Sequence, residues 1–198
     1  MAPLDHGAAT SFKNNTAENG GAVSIVDGAI GSWRGDTSFI GNIADRVYGG
    51  AVHVFNGASV SWSGQTNFTR NSAPVGGGAL YSDNSVVTWT GHTRFVNHSA
   101  SFCGGTILAR FSNVSWSGVT SFESSTLCAR LESGGSVQLE DSALSWQGET
   151  SFNGGSGGVG GALHAARSNV SWTRNDFCDN RVDIRGGALS IESSSNVS

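Results

Sequence analysis

The chain has 198 residues, of which 29 are Gly and 2 are Pro, and carries a formal net charge of −4. Charged residues make up only 13% of it, about half the usual share, so neither nucleic acid nor an anionic membrane is an expected partner. Apolar residues at 37%, with six Trp and ten Phe spread along the length, exclude a disordered chain. No apolar run approaches the ~18 residues that a membrane helix needs, so no membrane insertion by this segment is expected.

Residues 1–8 read as an irregular or disordered lead-in, without the basic start and apolar stretch of a secretory signal. From residue 9 onward the chain repeats itself. The first copy carries Phe12, the pair Gly20-Gly21, the alternating apolar residues Val23 and Ile25, and Trp33. The second runs Thr37-Ser38-Phe39, Gly49-Gly50, Ala51-Val52-His53-Val54 and Ser59-Val60-Ser61-Trp62. The third opens on Thr66-Asn67-Phe68 and continues through Gly77-Gly78 to Trp89. Phe95, Gly104-Gly105 and Trp116 mark the fourth, and Phe122, Gly134-Gly135 and Trp146 the fifth. Phe152, Gly160-Gly161 and Trp172 mark the sixth; Phe177 and Gly186-Gly187 belong to the seventh. The Phe spacings are 27, 29, 27, 27, 30 and 25 residues, and all six Trp fall in one register.

Each copy reads as three short strands. One follows the Gly pair, one ends on Trp with an apolar residue two positions before it, and one ends on Phe. Gly31 alone breaks the apolar column before Trp. Gly35, Gly64, Gly91, Gly118 and Gly148 mark a Trp-x-Gly corner. A unit of about 27 residues cannot bury enough surface to offset its own ordering entropy, so neighbours must cover it above and below. Stacking then places Trp on Trp, Phe on Phe, and Ala17, Ala44, Ala73 and Ala100 on one another. The period is too long for a hexapeptide helix and too short for a propeller blade, and the composition is not that of helical or leucine-rich repeats. The expected fold is all-β: a right-handed parallel β-helix of about seven coils of roughly 27 residues, three strands per coil. It forms a single domain over 9–198. The chain stops at Asn196-Val197-Ser198, where every earlier copy places Trp, and is expected to be a piece of a longer array.

The Gly-pair and Phe columns resemble the repeats of the chlamydial polymorphic outer membrane proteins, with their GGA[ILV] and FxxN motifs. Similar repeats occur in surface proteins of protists and algae. GGA followed by Val or Leu stands at Gly20–Val23, Gly49–Val52, Gly77–Leu80, Gly160–Leu163 and Gly186–Leu189. FxxN stands at Phe12–Asn15, Phe39–Asn42, Phe68–Asn71 and Phe177–Asn180. Thr106 and Ser136 depart from the first motif, and His98, Ser125 and Gly155 from the second. The Ser-Trp-x-Gly-x-Thr-x-Phe element is not part of the family pattern. The resemblance implies a β-helical passenger exposed outside a cell, with adhesive function and no catalytic residues. Its partner would be a protein or glycan of a host or neighbouring cell.

An enzyme is the alternative, since right-handed β-helices include polysaccharide lyases, hydrolases and epimerases. Those place Asp, Arg or His on one outward face across adjacent coils. Here the outward column after the Gly pair reads Ser24, His53, Tyr81, Leu108, Gln138, His164, Ser190, and its two histidines lie four coils apart, about 19 Å. They cannot share a substrate atom or a metal, and no cofactor or metal is expected. The densest charge set is Arg174, Asp176, Asp179, Arg181, Asp183 and Arg185, which reads as solvated ion pairs or as a uronate site. Gly155–Gly160 matches GxGxxG but opens no helix, and is excluded as a dinucleotide site.

With Trp in the core, the residue before each Trp faces out. Ser61, Thr88, Ser115, Ser145 and Ser171, together with Ser32, form a flat polar strip. This strip is one candidate ligand surface, for a glycan or for ice; Asp179, Asp183 and Arg185 of the charge set are a second, for a uronate. Six sequons, at Asn14, Asn67, Asn97, Asn113, Asn169 and Asn196, are candidate N-glycosylation sites. Cys103 and Cys128 lie in the same loop of neighbouring copies and read either as a disulfide or as buried thiols; Cys178 has no evident mate.

Overall fold

The computed structural model describes residues 4–127, 134–193 and 195–198. All regular structure among them is β. The second coil shows the plan. Val52–Phe55 follows the Gly pair, Ser59–Trp62 ends on Trp, Thr66–Thr69 carries Phe, and Ser72–Ala73 adds a fourth strand of two residues. Every strand pairs in parallel with its counterparts in adjacent coils, giving a β-solenoid of about seven turns. The strands after the Gly pair stack into a seven-stranded sheet, and so do the short strands. The Trp and Phe strands form two stacks of one 13-stranded sheet, because Ala143–Asn153 and Asn169–Cys178 run unbroken through the corner between them. This short strand carries the stacked column of Ala17, Ala44, Ala73 and Ala100, but two residues give no periodicity from which to read a strand.

Register follows the aromatic columns. Trp62 stands opposite Trp33 and Trp89, and Phe68 opposite Phe39 and Phe95. The rings stack nearly parallel: Trp89 and Trp116 have centroids 4.6 Å apart at 1°, and Phe39 and Phe68 4.6 Å apart at 8°. Within a coil Trp62 meets Phe68 edge-on at 6.2 Å, the other favourable aromatic geometry. Trp33, Trp62, Trp89, Trp116 and Trp146 are all buried, as are Phe39, Phe68, Phe95, Phe122 and Phe152. A slip of one residue would turn every ring into water, so the buried face fixes the pairing. Gly31 breaks the apolar column because Ile25 Cδ1 and Trp33 Cζ3 would lie only 2.7 and 2.9 Å from a Cβ placed there.

The two repeat motifs have separate physical causes. In the Gly pair, Gly49 adopts φ +68°, a left-handed conformation. Gly50 has no such torsion, but a Cβ on it would collide with the Gly78 carbonyl of the next coil and with the Ser72 backbone. The Asn of FxxN is a backbone cap. Asn71 Oδ1 accepts the N–H of Asn42 at 2.8 Å, and Asn71 Nδ2 donates to the Phe39 carbonyl at 3.0 Å. Asn42 does the same for Asn15 and Phe12. These corner groups lie beyond the reach of the sheet ladders, and Asn42 and Asn71 are 0% exposed, so an unmet group there would be costly. Four of the five departures are matched in pairs. Ser125, which replaces Asn, bonds the hydroxyl of Thr106, which replaces Ala. Gly155, which also replaces Asn, leaves room for Ser136 of the other departed motif, whose Oγ lies 2.8 Å from where a Cβ on Gly155 would stand.

Two expectations are corrected. Residues 1–8 are not wholly irregular: Leu4–His6 is a strand parallel to Ile30–Trp33, satisfying backbone groups at that sheet margin. The column from Ser24 to Ser190 points away from the tube but is largely covered, with Tyr81, Leu108, Gln138, His164 and Ser190 buried. The segments before the Gly pairs fold back over it. Tyr48 stacks on Tyr81 at 4.2 Å, and Gly104 N–H donates to Gln138 Oε1 at 3.2 Å. The Cys103–Cys128 reading lies outside the described residues, since Cys128 is not among them.

Candidate functional site

The strands ending on Trp bury their apolar residues and present the alternate ones outward. Ser32, Ser61, Thr88, Ser115, Ser145 and Ser171 therefore lie in one register, one per coil. Ser171 is exposed and the rest are half-buried. Neighbouring hydroxyls bond along the strip: Ser61 Oγ to Ser32 Oγ at 3.3 Å, and Ser115 Oγ to Thr88 Oγ1 at 3.4 Å.

Two residues earlier runs a second outward column: Val86, Asn113, Ala143, Asn169 and Asn196. Over these two columns lies a groove of about 410 Å³, reaching from Val86 to Ser198. Its lining residues all have uncharged side chains. Asn113 and Asn169 rise on either side of Ala143, whose methyl leaves a notch between the two amides. Asn196 Nδ2 donates to Asn169 Oδ1 at 3.2 Å and extends that rim. Val86, 42% exposed, forms the apolar end. At the corner leading into these strands Arg167 grips Asp141 with two bonds of 2.8 and 2.7 Å, and this hydrogen-bonded guanidinium holds the Asp141 carboxyl below its ordinary range.

The two candidate ligand surfaces are therefore separate. Thr88, Ser115, Ser145 and Ser171 flank or line the groove, with Ser61 further along the same strip. Asp179 sits at a left-handed corner (φ 52°), and Asp183 and Arg185 belong to Arg181–Arg185 of the short-strand sheet, a different face. Arg185 approaches Glu192 at 3.9 Å, and Arg174 pairs with Glu149 at 2.7 Å. Asn113, Asn169 and Asn196 entered the sequence reading only as sequons. Strand alternation was the signal that could have placed Asn113 with Ser115 and Asn169 with Ser171 on one face. All six sequon asparagines are exposed.

A second polar cluster covers the strands after the Gly pairs. His53 stacks on Tyr81 at 5.4 Å and its Nδ1 lies 3.3 Å from Ser24 Oγ. Tyr81 donates to Asp83 at 2.7 Å; Arg110 lies over the Tyr48 ring and pairs with Glu140 at 2.9 Å. Burial lowers the His53 pKa against the opposing charge of Asp83, and burial raises that of Tyr81. The rings pack on one another and cover the strands after the Gly pairs. Among the described residues no group of three His, Cys, Asp or Glu could hold a metal ion.

An uninterrupted stack of parallel coils with an internal aromatic ladder and an outward hydroxyl strip defines the class: a parallel β-helix repeat protein. A family model described as the Chlamydia polymorphic membrane protein repeat matches residues 9–25 and 65–83, and the chain resembles those repeats. Each matched segment holds one FxxN and one whole GGA motif, the two devices whose backbone roles are described above. No curated protein and no solved structure matches the chain. Among the described residues no helix is long and apolar enough to cross a membrane.

Proposed function

We propose that the chain is a non-catalytic interaction module displayed at a cell surface or outside the cell. It attaches to a protein or glycan of a host or neighbouring cell through shallow, repeated surface. The observation that carries this reading is the uncharged groove, which crosses five successive strands of the Trp stack. Such a surface offers many weak hydrogen-bonding positions in register and no acid–base pair. The match to a membrane protein repeat supports the location.

The test is retention of the labelled chain on arrays of glycans and extracellular matrix proteins, run beside turnover assays on pectin and alginate. Retention without turnover supports the module. Turnover abolished by Asp179→Ala overturns it in favour of a carbohydrate-active enzyme.

A further inference from the structure

We propose that the groove on the Trp stack binds a neutral pyranose chain laid along the solenoid axis, with one sugar ring seated in the notch at Ala143. This rests on the interaction reading and gives its ligand a chemical class.

Charge is the first argument. A uronate or sulfated glycan is recognised by Arg or Lys, most strongly through paired charge-assisted bonds, and the lining side chains carry no charge. Hydrogen-bonding capacity is the second. Unmodified at their sequons, as the proposal requires, Asn113, Asn169 and Asn196 each offer an amide that both donates and accepts, and Ser115, Ser145 and Ser171 each offer a hydroxyl that does the same. Sugar hydroxyls need that dual character. Size is the third. Asn113 and Asn169 stand two strand spacings apart, about 9–10 Å, with only the Ala143 methyl between them, which admits one hexose ring. The methyl and the exposed Val86 meet the C–H faces of the sugar. A folded protein partner fits less well, because hot spots centre on aromatic or Arg anchors in deep pockets and none lines this groove.

The Trp rings face inward, so no aromatic platform adds stacking energy. Affinity for this groove is then low, of millimolar order.

The test uses the isotope-labelled, unglycosylated chain from a bacterial host, observed by NMR. It is titrated with cellotetraose, mannotetraose, chitotetraose and tetragalacturonate. At least one neutral tetrasaccharide is expected to shift the side-chain amides of Asn113 and Asn169 and the backbone amide of Ser145, whereas tetragalacturonate leaves them in place. Ala143→Asn fills the notch with a side chain that the same column already carries at Asn113 and Asn169, and is expected to weaken binding at least tenfold. Asn169→Ala removes one wall and weakens it independently. Ser121→Ala, on the Phe stack, leaves it unchanged. The inference is overturned if no neutral tetrasaccharide shifts these signals, if tetragalacturonate binds equally well, or if both groove variants keep full affinity. Retention on a protein array with no groove shift sinks this inference and leaves the interaction reading standing; failure of both assays removes both.

Discussion

His98 occupies the asparagine position of its coil and is 1% exposed. Its Nδ1 accepts the N–H of Asn71 at 3.1 Å, while Nε2 is buried with no partner. Burial holds its pKa down at about 4, below the ordinary 6.5. Protonation would place an N–H against the Asn71 N–H and a charge inside the stack. The folded form thus binds the proton less readily than the unfolded chain. Its contribution to stability is complete above pH 6.5 and is lost as pH falls from there toward 4. The difference of about 2.5 pKa units corresponds to about 3 kcal/mol when fully developed, and to about 2 kcal/mol at pH 5. The perturbation is His98→Asn. Asn71 shows what results: Oδ1 takes the preceding N–H and Nδ2 reaches the carbonyl one coil back, which here belongs to Phe68. At pH 7 the variant should lie within about 1 kcal/mol of the parent. At pH 5 it should be more stable by about 2 kcal/mol than that neutral difference predicts. Urea unfolding of both proteins, followed by Trp fluorescence from pH 7.5 to 4.5, measures this, and other titrations cancel in the comparison. A difference that stays constant across that range would refute the argument that His98 is kept neutral by burial.

Three further outcomes are expected. Trp89→Ala removes a ring stacked on Trp62 and Trp116 and should cost about 3–5 kcal/mol in urea unfolding, with loss of cooperativity between the two halves of the rod. Gly50→Ala drives a methyl into the Gly78 carbonyl and should cost about 3 kcal/mol or more, seen as a lowered melting temperature by circular dichroism. Phe111 is 62% exposed at φ 47°, in the corner column where Asn56 and Asn84 stand at 57° and 46°. Phe111→Asn should therefore stabilise by about 1 kcal/mol in the same melting assay.

Much of the fold is legible in the chain because like stacks on like. Once Trp33 to Trp172 and Phe12 to Phe177 are aligned, the pairing of each strand and the inward face follow. The candidate site was legible in half. Ser61, Thr88, Ser115, Ser145 and Ser171 follow from alternation next to Trp. The groove does not, since its shape depends on Ala143 falling between Asn113 and Asn169, which only vertical alignment shows. Asp179, Asp183 and Arg185 stand apart from the serines, at a corner and in the short-strand sheet. Alternation assigns a face within one strand, but not which sheet the chain joins after a corner.

The same division runs through the whole molecule. The sequence by itself determined the period, the three main strands, the buried aromatic columns and a turn at each Gly pair, because these depend on local torsion and on side-chain alternation. Tertiary structure alone decided the rest. The Ser112–Ser142–Ser168 ladder, in which each Oγ accepts the N–H of the serine one coil before, exists only across coils. So does the closing of Tyr48 over Tyr81, which turns an outward column into a second buried layer. Both are contacts between residues 26 to 33 positions apart, at separations that shift with every loop. No local rule reaches that far, and only the stacked coordinates bring such groups within bonding distance.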